Sequence, residues 1–342
     1  MKALALEEPG KAPKFQWSEI PDPKLGPHDT LIKVLACGLC HHDLLVIRGV
    51  LRRGIRKGVV LGHEICGEVE DIGSEVSLVK PGQRVVPLLT QSCGSCARCL
   101  EGREHRCLTG QGIGHGVDGG FATHVRVRET ALVPIGDSIE PEEACLLACP
   151  IGVALQGVQE ACTTQDEWVM VTGASGGLGI HILQIAKALG CKTIAVTTSE
   201  GKMHGLLEKG ADEVVPVGEL DFVDIVRAIT GEEGVGVVMD TVGSPLLASS
   251  IKCLAQFGRI ILLGEVGTGT AEIHLPELMF RDARVQGSTG AQRRHVEEAA
   301  KLVSKRDVTP LIHMRLPLTD ILIGLGWMEE RKLFGRVVLT PN

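Results

Sequence analysis

The chain has 342 residues, more than one hydrophobic core usually organises, and its 44% apolar content is enough to bury two. A formal charge of −7 argues against a general polyanion partner, and the lack of Tyr with only 3% aromatics argues against a stacking platform for nucleic acid. Forty-three glycines point to tight turns and close backbone approaches rather than a helical bundle.

The N-terminal stretch MKALALEEPGK meets Glu7 and Glu8 before any apolar run of signal-peptide length, and no later run approaches a membrane span. A cytoplasmic protein is expected, and in a reducing compartment clustered cysteines read as metal ligands. From about 28 to 135, the stretches TLIKVLACG, GEVEDIG, QRVVPLL and FATHVRVR predict an antiparallel, barrel-like domain. After Glu167 apolar runs alternate with helical patterns: WVMVTGAS, a helix to Leu189, TIAVTTS, a helix to Lys209, EVVPV, a helix near 221–229, VGVVMDTVG, a helix near 245–256, then RIILLGEV and RVQGSTGA. That rhythm predicts a doubly wound parallel sheet. The segment from about 292 is expected to hold one helix and to end in GRVVLTP, a strand able to rejoin the first domain.

Cys93, Cys96, Cys99 and Cys107 lie in CGSCARCLEGREHRC, where four soft thiolates can close a tetrahedron around one zinc and leave no open position. That zinc is expected to be structural. Cys37, Cys40, His41, His42 and Asp43, then His63 and Glu64, then Cys145 and Cys149, bring further ligand types to three separated points. An isolated Cys is often a small buried hydrophobe and a His a satisfied core group, so spacing alone leaves this set open. Two sulfurs and an imidazole with a vacant fourth position would make a catalytic zinc site.

CGLCHHDLL, GHEICGEVEDIG, the four-Cys lobe, KPGQRV, DGGFATH, the Cys145–Cys149 element, the glycine-rich turn and GRVVL follow one another as in the zinc-containing medium-chain alcohol dehydrogenases, which the chain resembles over nearly its whole length. The resemblance implies a GroES-like β-barrel catalytic domain from residues 1–152 and 292–342, carrying a zinc lobe at 93–107, and a Rossmann cofactor domain from 153–291. It implies Cys40, His63 and Cys149 as catalytic zinc ligands, Glu64 as an acid near the metal, and Asp43 as the group that orients His63. Cys37 and Cys145 are then structural neighbours. His42 stands where family members usually carry the Ser or Thr that starts the proton relay, and Leu45 where some carry a relay His. His42 is then either a replacement acid/base or a wall of the pocket.

Thr172-Gly173-Ala174-Ser175-Gly176-Gly177-Leu178-Gly179 ends a predicted strand and opens a helix, the context in which glycines admit a pyrophosphate to a helix N-terminus. At the end of the next strand, Thr197-Thr198-Ser199-Glu200-Gly201-Lys202 lacks the acid that holds a ribose 2′-hydroxyl, and Thr197 stands in its place. Small hydroxyls with Lys202 suit a 2′-phosphate, so NADP(H) is expected over NAD(H), with Glu200 counting against. The resemblance adds Arg336 and His41 as pyrophosphate contacts.

The leading expectation is a zinc-dependent NADP(H) enzyme interconverting an alcohol and an aldehyde or ketone. The alternative is reduction of the C=C bond of an α,β-unsaturated carbonyl or enoyl-CoA, because VTGASGGLGIHILQIAKALG and TTSEGK resemble the acryloyl-CoA reductases. A cofactor-binding protein without catalysis is the third, disfavoured by the joint presence of Cys40, His63, Glu64 and Cys149. Arg48, Arg52, Arg53, Arg56 and Lys57, with no acid among them, either recruit an anionic substrate or form a solvated loop. No nucleic acid or membrane partner is expected, and the resemblance implies a homodimer or homotetramer paired through the outer edge of the cofactor sheet near 285–290.

Overall fold

A computed structural model describes residues 1–51, 54–218, 221–267 and 269–341. The chain divides into two compact units, one of Met1–Gly152, Gly290–Ser304 and Ile312–Asn342, the other of Val153–Thr289 and Lys305–Leu311.

The first unit is built on a seven-stranded sheet in the order Ile312–Pro317, Arg336–Thr340, Asp29–Leu39, Glu64–Ile72, Arg84–Pro87, Leu132–Pro134, with His124–Arg128 also paired to Asp29–Leu39. Along Asp29–Leu39 the buried residues first alternate (Thr30, Ile32, Val34, Ala36), as a strand with one wet face requires. From Ala36 to Leu39 every residue is buried, and this stretch pairs with Val337–Leu339 on one side and Glu64–Cys66 on the other. Gly38 therefore sits between Glu64 and Val338, deep inside the sheet.

Downstream, Leu147–Ile151 forms a π-helical turn. Pro150 offers no N–H, and Ile151 N reaches back five residues to Leu146 O at 3.1 Å, so the ordinary helical ladder is widened just where Cys149 stands. The tail beyond 292 holds two helices rather than the one expected, Arg293–Ser304 and Ile321–Glu329. The second, ILIGLGWME, is apolar nearly all round and carries two glycines, so it shows no amphipathic stripe.

The second unit is a six-stranded parallel sheet in the order Glu213–Pro216, Lys192–Thr197, Trp168–Thr172, Val235–Asp240, Leu254–Leu262, Arg284–Gly287. Strand order reverses between Trp168–Thr172 and Val235–Asp240, which opens a crevice at their C-terminal ends. Met170, Ile194, Val196, Val238 and Ile260 fill its core. The helix expected at 245–256 is shorter, Leu247–Lys252; the next strand starts at Leu254 and bulges at Phe257, whose φ is +63°. The strap 305–311 belongs to this unit through Gln184, which accepts from Thr309 N (2.7 Å) and donates to Thr309 O (3.1 Å), and through His181 Nε2, which accepts from Leu311 N (3.1 Å). Among the described residues no helix is long and apolar enough to cross a membrane.

Candidate metal centres and cofactor turn

The sulfurs of Cys93, Cys96, Cys99 and Cys107 converge, with Sγ–Sγ distances of 3.5 Å for Cys96–Cys99, 3.8 Å for Cys96–Cys107 and 3.9 Å for Cys93–Cys99. Backbone amides point at these sulfurs: Cys96 N donates to Cys93 Sγ and Cys93 N to Cys107 Sγ, each at 3.3 Å. Those from Ser95 and Cys96 hold the Cys93 thiol down to about 5. Four converging cysteines in a closed set fit a structural zinc.

A second cluster joins Cys40, His63, Glu64 and Cys149, whose ligand atoms all lie within 4.8 Å of one another. Cys40 precedes the helix His41–Ile47, His63 precedes the strand Glu64–Ile72, and Cys149 comes from the π-turn. Asp43, fully buried, ties two of these together: Oδ2 accepts the Cys40 N–H at 2.9 Å and Oδ1 lies 3.4 Å from His63 Nδ1. With Nδ1 engaged, His63 presents Nε2 as the ligand atom. Burial pulls the His63 ring down, but the charges of Asp43 and Cys40 outweigh it and hold the ring well above its ordinary value. The Cys40 and Cys149 sulfurs are 4.0 Å apart, and their shared hydrogen bond keeps Cys40 well below the usual thiol range. Glu64 is fully buried; burial raises its carboxyl to about 7, partly offset by Arg336. Arg336 Nη2 stands 2.8 Å from Glu64 Oε1, yet both Glu64 oxygens and Arg336 Nε lack a hydrogen-bond partner among the described residues. Two thiols and an imidazole are a donor set that fits one zinc with a fourth position to spare, and the under-satisfied buried carboxylate of Glu64 lies beside them. Cys37 and Cys145 lie in the core, and burial drives both thiols well up.

His42 stands beside this cluster, its ring centroid 5.3 Å from that of His63. Its Nε2 is 3.1 Å from His115 Nδ1, so one nitrogen donates and the other accepts. Burial and the neighbouring His63 push His42 below its ordinary value. Nothing in the sequence around His115 signals this role; only the fold brings it 73 positions back to His42. Two residues of the basic run meet acids from elsewhere in the chain: Arg48 pairs with Glu329, and Arg56 with Asp118. Lys57 is exposed, and Arg52 and Arg53 lie outside the described residues.

In the second unit, Gly173 takes φ +62° and accepts the Gly176 N–H at 2.9 Å, while Ser175, Gly177 and Leu178 lead into the helix Gly179–Ala188. A Cβ on Gly179 would fall 2.5 Å from Gly173 O, so the turn closes only over glycine. His181 Nδ1 donates to Gly177 O at 2.6 Å and fixes that carbonyl. The crevice floor is tied by Thr172 Oγ1 donating to Asp240 Oδ1 (2.6 Å), which also accepts from Val242 N and Gly243 N (both 2.9 Å). Thr197 is buried, its hydroxyl accepting the Ser199 N–H at 3.2 Å; Thr198 is exposed and Ser199 and Lys202 half-buried. Of the two residues expected at the pyrophosphate, Arg336 is engaged with Glu64, and His41 Nε2 is buried without a hydrogen-bond partner among the described residues.

Residues 26–137 match the family described as alcohol dehydrogenase GroES-like domain, and residues 177–305 the family described as zinc-binding dehydrogenase. The chain is 35% identical to an acryloyl-coenzyme A reductase of Metallosphaera sedula, covering 99% of this chain and 100% of the relative. It is 31% identical to an alcohol dehydrogenase of Geobacillus stearothermophilus, with 100% of each covered. A solved NAD-dependent alcohol dehydrogenase superposes with a TM-score of 0.93 at 30% identity, again over 100% of both chains.

Proposed function

The chain belongs to the zinc-containing medium-chain alcohol dehydrogenase/reductase family, and from that premise we propose that it binds two zinc ions and interconverts an alcohol and an aldehyde or ketone with NADP(H). The carrying observation is the convergence of Cys40, His63, Glu64 and Cys149. When bound, zinc supplies Lewis-acid polarisation of a substrate oxygen, and the nicotinamide supplies or accepts the hydride. Cys40, His63 and Cys149 hold the metal, Asp43 orients the His63 ring, and Glu64 balances Arg336 beside them. His42, backed by His115, exchanges a proton with the substrate oxygen. His42→Ala then lowers kcat far more than it raises KM; the reverse split assigns His42 to the pocket wall.

NADP(H) preference is supported by the absence of an acid at Thr197 and by Lys202 nearby. Recruitment of an anionic substrate by the basic run is narrowed, since Arg48 and Arg56 already face Glu329 and Asp118. The cysteines, all twelve unpaired, suit a reducing cytoplasm. A homodimer is supported by the exposed edge strand Arg284–Gly287.

A second reading, reduction of the C=C bond of an α,β-unsaturated carbonyl or acyl-CoA, is favoured by the acryloyl-coenzyme A reductase relative and by an imidazole at position 42 in place of a hydroxyl. Anaerobic incubation of an enal with NADPH separates the two. Allylic alcohol supports carbonyl reduction, and saturated aldehyde overturns it in favour of the second.

A further inference from the structure

Glu104 lies in the turn Glu104–Arg106, between the lobe thiols Cys99 and Cys107. Its Oε1 accepts the backbone N–H of Arg293, the first residue of the helix Arg293–Ser304 and a donor with no partner inside that helix. The Arg293 guanidinium donates to Leu132 O (2.6 Å) and Thr130 O (3.0 Å), and Thr130 Oγ1 donates to Ser92 O (2.9 Å), one residue before Cys93. The start of the helix is thus bound to both ends of the four-thiolate lobe.

The same helix also packs on the π-turn that carries Cys149. A Cβ on Gly152 would lie 3.0 Å from Ala291 Cβ and 3.6 Å from Val296 Cγ2, so the turn and the helix touch with no room between them. Val296 and Ala299 are fully buried there. Because Pro150 interrupts the turn's own hydrogen bonds, packing from outside has more influence on where Cys149 points.

We propose that Glu104 is a positioning residue: by capping this helix it makes the four-thiolate lobe hold the π-turn, and with it the Cys149 ligand, in place. The inference rests on the reading of Cys40, His63 and Cys149 as a metal site.

The test uses the full chain with zinc in the lobe and cobalt at the Cys40/His63/Cys149 site, followed through the visible thiolate–cobalt absorption during challenge with a chelator. Glu104→Ala and Val296→Ala are expected to shift the band and to lose cobalt roughly 3- to 10-fold faster than wild type, with lobe zinc retained. Glu104→Gln, whose amide oxygen still accepts the Arg293 N–H, is expected to match wild type. Removal of Glu104 takes away a cap and no core volume, so the variant folds, which its thermal transition checks. Unchanged bands and loss rates in Glu104→Ala and Val296→Ala overturn the proposal, as does Glu104→Ala losing lobe zinc first. A wild-type chain that takes up no cobalt overturns the metal-site reading itself and the proposal with it, whereas normal wild-type uptake with unaltered variants removes the proposal alone.

Discussion

Gly38 has no side chain because Glu64 fills the space: a Cβ there would fall 2.1 Å from Glu64 Oε2. Alanine at 38 must displace a buried carboxylate that sits beside Cys40, His63 and Cys149 and opposite Arg336. Gly38→Ala is expected to lower kcat/KM at least about tenfold, as lost support around a metal does, while metal analysis still finds the lobe zinc. An unchanged kcat/KM would show that the Glu64 position does not matter to the reaction. At the cofactor turn, Lys202→Ala is expected to raise KM for NADPH roughly tenfold, the size of a lost charged hydrogen bond, and to leave KM for NADH alone. Equal effects on the two cofactors would remove Lys202 from 2′-phosphate recognition. How far such residues were legible differed with their spacing. The lobe cysteines sit within fifteen consecutive positions, and their chemistry follows from spacing alone. Cys40, His63 and Cys149 needed a family resemblance, because six strands lie between the first and the last of them. The pairing of Arg336 with Glu64 depends on the register of two strands with Asp29–Leu39, and that of His115 with His42 on a loop path; no local pattern encodes either.

Among the elements, the helix Arg293–Ser304 combines capping, burial and titration in its first turn. His295 is almost fully buried and its Nδ1 accepts the Gln292 N–H at 3.2 Å, which requires a neutral ring. Burial, with Arg294 and His105 adding to it, pushes His295 down from 6.5 to about 4. Between those values the unfolded chain binds the proton and the native chain does not, so stability falls as pH drops through that window and levels off below it. In His295→Asn, whose side-chain oxygen can still accept the Gln292 N–H, the decline in melting temperature between pH 7 and pH 4.5 (about those values) is expected to be smaller than in wild type. Parallel declines would show that another group carries the acid sensitivity. Elements with a clear period were readable in the sequence, as the six parallel strands show. Those governed by exceptions were not: the apolar helix Ile321–Glu329 has no polar face to mark it, and the helix expected over 245–256 ends at Lys252, where the chain already turns into the strand Leu254–Leu262.

At the scale of the whole molecule, the exposed edge of the six-stranded sheet supports the proposal that copies of the chain associate there. All four residues of Arg284–Gly287 are exposed, and this strand ends the sheet order, so one row of its backbone N–H and C=O groups is available for pairing. Beside it in the chain stand three strongly exposed apolar side chains, Phe280 at 80%, Met279 at 69% and Leu275 at 60%. Natural proteins blunt such an edge with charge or cover it, and Arg284 alone is a weak guard. A second copy meeting it about a two-fold axis would continue the sheet across the interface and bury the same apolar residues from both sides. Light scattering is therefore expected to give a particle of at least twice the 36.4 kDa chain mass. Val285→Lys combined with Phe280→Lys puts the same charge on both copies wherever these residues meet across that axis, so it is expected to halve the mass while the circular dichroism of the folded sheet persists. A double variant that keeps the wild-type mass would place the association surface elsewhere, and the exposed phenylalanine would then be left without a partner to explain it.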